Sequence, residues 1–401
     1  MTLLPVADAL ARLLADAHPL PPEPVDLLSA SGRVLAQPVA AKLTAPPFDA
    51  SAMDGYAVRR ADVMTLPARL HVIGEAAAGR GFVGHVPAGE AVRIFTGAPI
   101  PVGADAVHIQ ENCDRDGDFV VIREGSPDAA HVRRRGGDFT SGTTLLESGT
   151  RLSARQITLA AAMGHATLPV HRKPKVAIIA SGDELVLPGV TPGQDQIVCS
   201  NPYGVAALVA AAGGDAHFLG IAGDTRASLN AYIDRANGCD LLITIGGASV
   251  GDHDLIAPVL EERGLSLDFC KIAMRPGKPM LYGRLGGMRV VGLPGNPVSA
   301  LICTRVFLVP LIERLSGRSE SCAPMTDAIA AASIEANGPR THYMRATLET
   351  GDGGQLFARP VRSQDTSLLS PLAAADCLLV RDVGAPALKV GEPVKVLRLD
   401  F

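Results

Sequence analysis

The chain carries no strong excess of charge of either sign. Its 37 Lys and Arg stand against 41 Asp and Glu, a formal net charge of −4. No global field favours DNA or an anionic membrane, so neither nucleic acid nor membrane is an expected partner. No uninterrupted apolar run reaches about 18 residues, which excludes an expected membrane-spanning helix. The cysteines number seven and form no CxxC pair, which argues against a disulfide framework and against a zinc site. The stretch MTLLPVADALARLLADA lacks a basic leader, and Asp8, Arg12 and Asp16 interrupt its apolar positions. Val6, Leu10, Leu13 and Leu14 fall at helical spacing, so it reads as an amphipathic helix rather than a signal peptide. A cytoplasmic location is the resulting expectation. Neither GxxxxGK[ST] nor a Ser-His-Asp arrangement can be read. Tryptophan is absent and aromatics make up 4%, whereas Gly numbers 42 and Pro 30, a composition suited to many turns and short strands.

At 401 residues and 47% hydrophobic content, the chain exceeds one ordinary core. We expect a multidomain α/β protein. Two to four domains are expected: a first segment, a small β domain over 44–136, an α/β domain over 173–318 and a C-terminal domain over 319–401. Within the second, LHVIG, AVRIFTG, DAVHIQE and FVVI have β character and are separated by Gly and Pro. VRRRGGDF then places three arginines beside Asp138, most simply a solvated face, with a phosphate-facing role as the alternative. Ser153 to Gly164 reads as a Ser-capped helix. From Lys175 the period changes. Five strand runs, KVAIIA, AHFLGI, LLITI, SLDFCKIA and MRVVGL, alternate with helical patterns and predict a mostly parallel sheet covered on both faces. Beyond Gly317, HYMRATLET, QLFARPV, CLLVRDV and PVKVLRLDF predict a small barrel or sandwich.

The organising stretch is LLITIGGASVGDHD, Leu241 to Asp254, a buried strand opening through Gly-Gly into a polar loop. In open α/β sheets ligands bind outside the carboxyl ends of the strands, where backbone N–H groups converge. The loops at those ends carry Asp183 and Glu184, Asp224, Gly246 to Asp254, Arg275 with Lys278, and Pro294 to Pro297. Carboxylates without neighbouring Cys suit oxygen-ligated Mg²⁺ rather than zinc. Arg275 and Lys278, around a Pro-Gly turn, offer charge to an oxyanion. His253 is read as an exposed loop residue rather than a general base. Capping a helix or closing a turn is the structural alternative to a ligand role for Asp183, Asp224 and Asp252.

MDGYAV (Met53 to Val58), FTGAPIP (Phe95 to Pro101), SGDEL (Ser181 to Leu185), GGASVGDHD (Gly246 to Asp254), RPGKP (Arg275 to Pro279) and GLPGNPVSA (Gly292 to Ala300) occur in order. Together they resemble the molybdopterin molybdenumtransferase family, which includes MoeA and the E domain of gephyrin. The resemblance spans nearly the whole chain. It implies an elongated homodimer with a central α/β domain like molybdopterin adenylyltransferase, a small N-terminal β domain, a linking and dimerisation domain over 1–43 and 137–172, and a C-terminal β-barrel. It also implies a Mg²⁺-dependent reaction of molybdate with adenylylated molybdopterin, yielding molybdenum cofactor and AMP, and a transient contact with molybdopterin adenylyltransferase.

By motif, the resemblance assigns catalytic positions to Asp54, Thr96, Asp138, Glu184, Asp224 and Asp254. Substrate contacts fall to Ser181, Gly246, Gly247, Ser249, Lys271, Arg275, Lys278, Pro294, Pro297 and Arg345, with Thr366 a looser match. Metal ligands are expected among Asp183, Glu184, Asp252 and Asp254. Asp54 and Thr96 are expected to face the α/β site of the other subunit. Many relatives have Lys where Arg275 stands, and Ser363 to Cys377 follows the family pattern loosely. The rival readings are adenylylation of molybdopterin, the preceding step, and a non-enzymatic scaffold.

Overall fold

In a computed structural model of the chain, residues 3–125, 131–247, 255–318 and 325–399 are described. The chain divides into two compact units. One comprises Met1–Glu23, Gly32–Ala36 and Pro169–Phe401, the other Pro24–Ser31 and Gln37–Leu168.

The second unit is built on a six-stranded sheet in the order Ala106–Ile109, Gly55–Val58, Glu90–Ile94, Ala68–Ala76, Phe119–Ile122, Cys113–Asp116. The four runs read as β all form strands. Two more join them. Gly55–Val58 is buried at every position, so it lacks the alternation that marks a half-exposed strand. A Cβ on Gly55 would lie 1.9 Å from the His108 carbonyl oxygen, so only glycine allows this close pairing. Cys113–Asp116 is a polar edge strand, hairpin-paired to Phe119–Ile122. The helix Ala154–Ala162 starts at Ser153, whose backbone N–H donates to Gln156 Oε1 at 3.2 Å.

In the first unit the main elements are β1 (Lys175–Ser181), α1 (Asn201–Ala211), β2 (Asp215–Ala222), α2 (Arg226–Arg235), β3 (Leu241–Ile245), α3 (Ile256–Glu262), β4 (Ser266–Lys271), β5 (Pro279–Leu285), β6 (Met288–Leu293) and α4 (Pro297–Cys303). The sheet order is β2-β1-β3-β6-β5-β4. β2, β1, β3 and β6 are mutually parallel, and β5 runs antiparallel to both β6 and β4. β5 is the strand missing from the sequence reading. Its opening Pro279 and internal Gly283 and Arg284 mask a run that hairpins back from β6 through Gly286 and Gly287.

Alternation decides which helix covers which face. Val176 and Ile178 of β1 pack with Leu241, Ile243, Val205 and Leu311 on one side, where Ala9 and Leu13 of the N-terminal helix Val6–Leu14 also lie. Ala177 and Ile179 pack with Leu229 and Ile233 of α2 and Val259 of α3 on the other. All five residues of β3 are buried, each aliphatic side chain contributing about 1.5–3 kcal/mol of apolar transfer. The helical run from Pro297 to Leu315 is interrupted. α4 passes through a π turn at Thr304–Leu308 into a helix at Val309–Leu315. Pro310 accounts for the change of register, since it has no N–H and its ring collides with a carbonyl one turn back in a regular helix.

The C-terminal strands Thr341–Thr350, Leu356–Pro360, Thr326–Ala330, Pro393–Arg398 and Cys377–Arg381 pair in that order, and the last pairs back to the first. That is a closed five-strand barrel, so no sheet edge remains among these strands. Its interior is small: Ala328, Ala330, Ala346, Ala358 and Cys377 with Leu379, Val394 and Val396. A short strand, Met274–Arg275, lies where a loop was expected and pairs in parallel with Thr341 and His342 of the barrel. No helix among the described residues is long and apolar enough to cross a membrane.

Candidate functional site

β1 sits between β2 and β3, and the chain leaves it towards β2 on one side and reaches β3 on the other. The crevice outside its carboxyl end is therefore the switch point of the sheet. A cavity of about 650 Å³ opens there, lined by Ser181, Glu184, Gly246, Gly247, Pro294 and Pro297 among others. Six positions named from the motifs thus converge on one space. Gly246 has φ +95°, and a Cβ on it would lie 2.7 Å from the Ser181 carbonyl oxygen. Glycine lets the end of β3 approach the end of β1 this closely.

The acids next to the cavity are wired to the backbone. Ser181 Oγ donates to Asp224 Oδ1 at 2.8 Å, and the Asp224 backbone N–H donates to Asp183 Oδ1 at 3.0 Å. Asp183, Glu184 and Asp224 remain exposed. Asp183 thus takes the turn-closing role that was the structural alternative, and among the described residues its second oxygen accepts no hydrogen bond. Among the described residues no three His, Cys, Asp or Glu side chains form a metal-sized cluster. Ser249, Asp252, His253 and Asp254 lie outside the described residues.

The basic set lies on the segment leading into β5. The Ile272 backbone N–H donates to the Lys278 carbonyl at 2.9 Å, which brings the two ends of the 272–278 turn together. Lys271 is half-buried, and Arg275 and Lys278 are exposed. Pro279, next in the chain, lines the cavity.

Arg345 differs from its expected role of oxyanion contact. It is 1% exposed, and its guanidinium donates to the carbonyls of Leu368 at 2.9 Å, Ser363 at 3.0 Å and Asp365 at 2.9 Å. Gln364 closes the knot, accepting from the Arg345 backbone N–H and donating to its carbonyl. Burial lowers the Arg345 pKa, partly offset by Asp365. The barrel strand thus holds the 363–368 loop, and that loop meets the α/β domain. Thr366 accepts from the Val298 N–H through its carbonyl and from Asn296 Nδ2 through its hydroxyl, both at 3.2 Å.

Several lining residues were not singled out from sequence. Ser367 and Leu369 come from the loop, Asn296 from the PGNP turn, and Cys199, Ser200 and Asn201 from the start of α1. Ser200 takes the N-cap position of α1 without a side-chain capping hydrogen bond. Asn201 Nδ2 donates to the Gly295 carbonyl at 2.7 Å, tying α1 to the PGNP turn. The signal was the Ser-Asn-Pro sequence itself, which fits both uses. Cys199 is buried, and burial followed by the Glu184 charge raises its pKa.

In the second unit, Asp54 and Thr96 meet although 42 residues apart. Asp54 Oδ1 accepts from the Thr96 N–H and from the Thr96 hydroxyl, both at 2.8 Å. The Thr96 backbone bond and then its hydroxyl bond lower the Asp54 pKa, and Arg93 adds a smaller pull. Asp138 is exposed, and its N–H donates to the Ala45 carbonyl at 3.1 Å. The arginine run is exposed, as a solvated face, and is anchored by Asp49, which accepts from Arg134 Nη1 and the Arg135 N–H, each at 2.7 Å.

Three comparisons bear on this arrangement. "MoeA N-terminal region (domain I and II)" matches residues 4–164, "Probable molybdopterin binding domain" matches 177–314, and "MoeA C-terminal region (domain IV)" matches 327–399. The chain is 35% identical to a molybdopterin molybdenumtransferase of Haemophilus influenzae, over 94% of each chain. It is also 35% identical to one from Nostoc sp., over 94% of this chain and 88% of that one. Among solved structures, a molybdopterin biosynthesis MoeA protein from Pyrococcus horikosii is 32% identical, with TM-score 0.86 and 100% of both chains covered. The chain therefore belongs to the molybdopterin molybdenumtransferase family, enzymes of molybdenum cofactor biosynthesis.

Proposed function

We propose that this transferase inserts molybdenum from molybdate into adenylylated molybdopterin and releases AMP. The observation that carries the reading is the cavity at the end of β1, with Glu184 on its wall and the Ser181–Asp224–Asp183 chain beside it. Its volume suits a ligand of nucleotide size.

The exposed carboxylates of Asp183 and Glu184 are hard oxygen donors, as are those of Asp252 and Asp254 in composition, and this set fits Mg²⁺. Bound there, the cation would neutralise phosphoryl oxygens while the pyrophosphate bond opens. Ser181 holds the Asp224 carboxylate in one orientation, so Asp224 is set before substrate arrives. Lys271, Arg275 and Lys278 supply positive charge for molybdate, a tetrahedral dianion. Arg345 serves by holding the loop that brings Ser367 and Leu369 to the cavity. No protein nucleophile is required. Asp54 and Thr96 complete the site from a second copy of the chain, in a homodimer.

The test is AMP release from adenylylated molybdopterin with Mg²⁺, with and without molybdate, in wild type and Asp54→Ala. Molybdate-dependent release that collapses in the variant supports the proposal. Release indifferent to molybdate, or adenylylated molybdopterin formed from ATP, returns the chain to the preceding step.

A further inference from the structure

The pairing of Asp54 with Thr96 stands on a third residue that neither motif marks. Arg93 lies three residues before Thr96, and in the antiparallel ladder it faces Tyr56, two residues after Asp54. Facing residues carry their side chains on the same face of a sheet. The Arg93 guanidinium carbon accordingly sits 5.2 Å from the centroid of the Tyr56 ring and 4.7 Å from that of Phe95. Each ring attracts the cation through its electron-rich face, so the two hold the planar fork in place. From there Nη1 donates to the Gly55 carbonyl at 3.0 Å and Nη2 to Gln110 Oε1 at 2.6 Å. The Gln110 backbone N–H in turn donates to the Asp54 carbonyl at 3.0 Å. One side chain thus holds two consecutive carbonyls, that of Gly55 directly and that of Asp54 at one remove.

No acid of its own neutralises Arg93. Glu75, which faces it in the parallel ladder, pairs with Arg80 at 3.4 Å, and among the described residues no carboxylate forms an ion pair with Arg93. The cation is left to act on Asp54. Thr96, through its backbone and then its hydroxyl, lowers the Asp54 pKa most, and Arg93 adds to the effect. Asp54 Oδ1 takes both Thr96 bonds, and among the described residues Oδ2 accepts none. One oxygen is anchored and the other is presented.

We propose that Arg93 is a positioning residue for the reaction: it holds the backbone of Asp54 and Gly55 so that Asp54 Oδ2 is presented in one orientation, and it influences turnover only through Asp54. This deepens the proposed function and rests on it in one respect, the part given there to Asp54. Lysine in place of Arg93 keeps the charge, but one ammonium cannot reproduce two divergent bonds from a fixed fork, so the Gly55 carbonyl and Gln110 are no longer held together. Methionine keeps a stem of similar length and removes the charge.

The experiment is a double-mutant cycle on AMP release from adenylylated molybdopterin, followed in single turnover so that slow residual rates are read. Arg93→Lys and Gln110→Ala are each placed in wild type and in Asp54→Ala, beside an NMR titration of the Asp54 carboxyl carbon in Arg93→Met. Gln110 is exposed, so its variant loosens the clamp with little risk to folding. The expected result is a saturated rate about tenfold lower in Arg93→Lys and about threefold lower in Gln110→Ala, with the half-saturating substrate concentration within about twofold of wild type. Neither substitution lowers the residual rate of Asp54→Ala further, because residues that act as one unit are not additive. The Asp54 pKa rises in Arg93→Met, which removes the cation and leaves both Thr96 donors. Equal losses in the two backgrounds, as a residue that serves the fold alone would give, overturn the proposal. An Asp54 titration that Arg93→Met leaves unmoved overturns it too. Undiminished release in Asp54→Ala strikes the reading of Asp54 in the reaction, and the hold of Arg93 on Asp54 then stands or falls by the titration.

Discussion

Arg345 shows what a motif can and cannot specify. Its place in RATLET marks it as functional, yet its work depends on burial and on loop carbonyls 18 to 23 residues away. Nothing in sequence spacing encodes that enclosure. Replacing it with alanine leaves three carbonyls without their charged donor. We expect Arg345→Ala to lose about 3 kcal/mol of stability in urea unfolding. Arg345→Lys should recover little, because one ammonium cannot span the guanidinium's fork. Full recovery by lysine would mean that charge alone matters. Asp54 and Thr96 were legible as a pair only through the order of the motifs. Their bond has a consequence in acid. The Asp54 carboxylate titrates below its ordinary value of 3.8 because Thr96 donates twice to it. Its contribution to stability is present above 3.8 and is lost as pH falls through the lowered pKa. Thr96→Val removes the hydroxyl donor and keeps the backbone one, so the Asp54 pKa should rise partway back. An NMR titration of the Asp54 carboxyl carbon that did not move would contradict this.

At the scale of elements, the sequence is readable where an apolar run is continuous or alternates, and opaque where proline, glycine or polar residues break it. β1 and β3 are continuous apolar runs that end on glycine turns, Gly182 and Gly246, and were recognised as strands of a mostly parallel sheet. β5 opens on proline, Cys113–Asp116 is a polar edge, and Gly55–Val58 is buried throughout, so none shows period two. The Met274–Arg275 strand exists only because a barrel strand lies beside it, a tertiary cause that no local pattern reports. The switch point makes a stronger demand. Gly246→Ala puts a Cβ against the Ser181 carbonyl at a backbone angle that L residues avoid. We expect a loss of about 2 kcal/mol or more in thermal unfolding. Displacement of Ser181 should also free Asp224, so AMP release falls by at least about tenfold. A variant with normal turnover would show that the approach of β3 to β1 does not shape the site.

For the whole molecule, alternating β and α runs announced the doubly covered sheet, and short close-spaced strands announced a barrel or a sandwich, of which the structure forms the barrel. The order of six weak motifs carried more than any one of them, since a fold that needs all six loops constrains them jointly. What the order leaves unstated is which side chains hold other segments in place: Arg345 donates to three loop carbonyls, and Asp183 accepts a backbone N–H. The central claim is that this cavity joins molybdenum to a pterin as AMP leaves. The most direct measurement is the molybdenum content of the pterin product, by mass spectrometry, alongside AMP released from adenylylated molybdopterin with Mg²⁺ and molybdate. The account predicts about one molybdenum per AMP. AMP released without molybdenum in the pterin would contradict it.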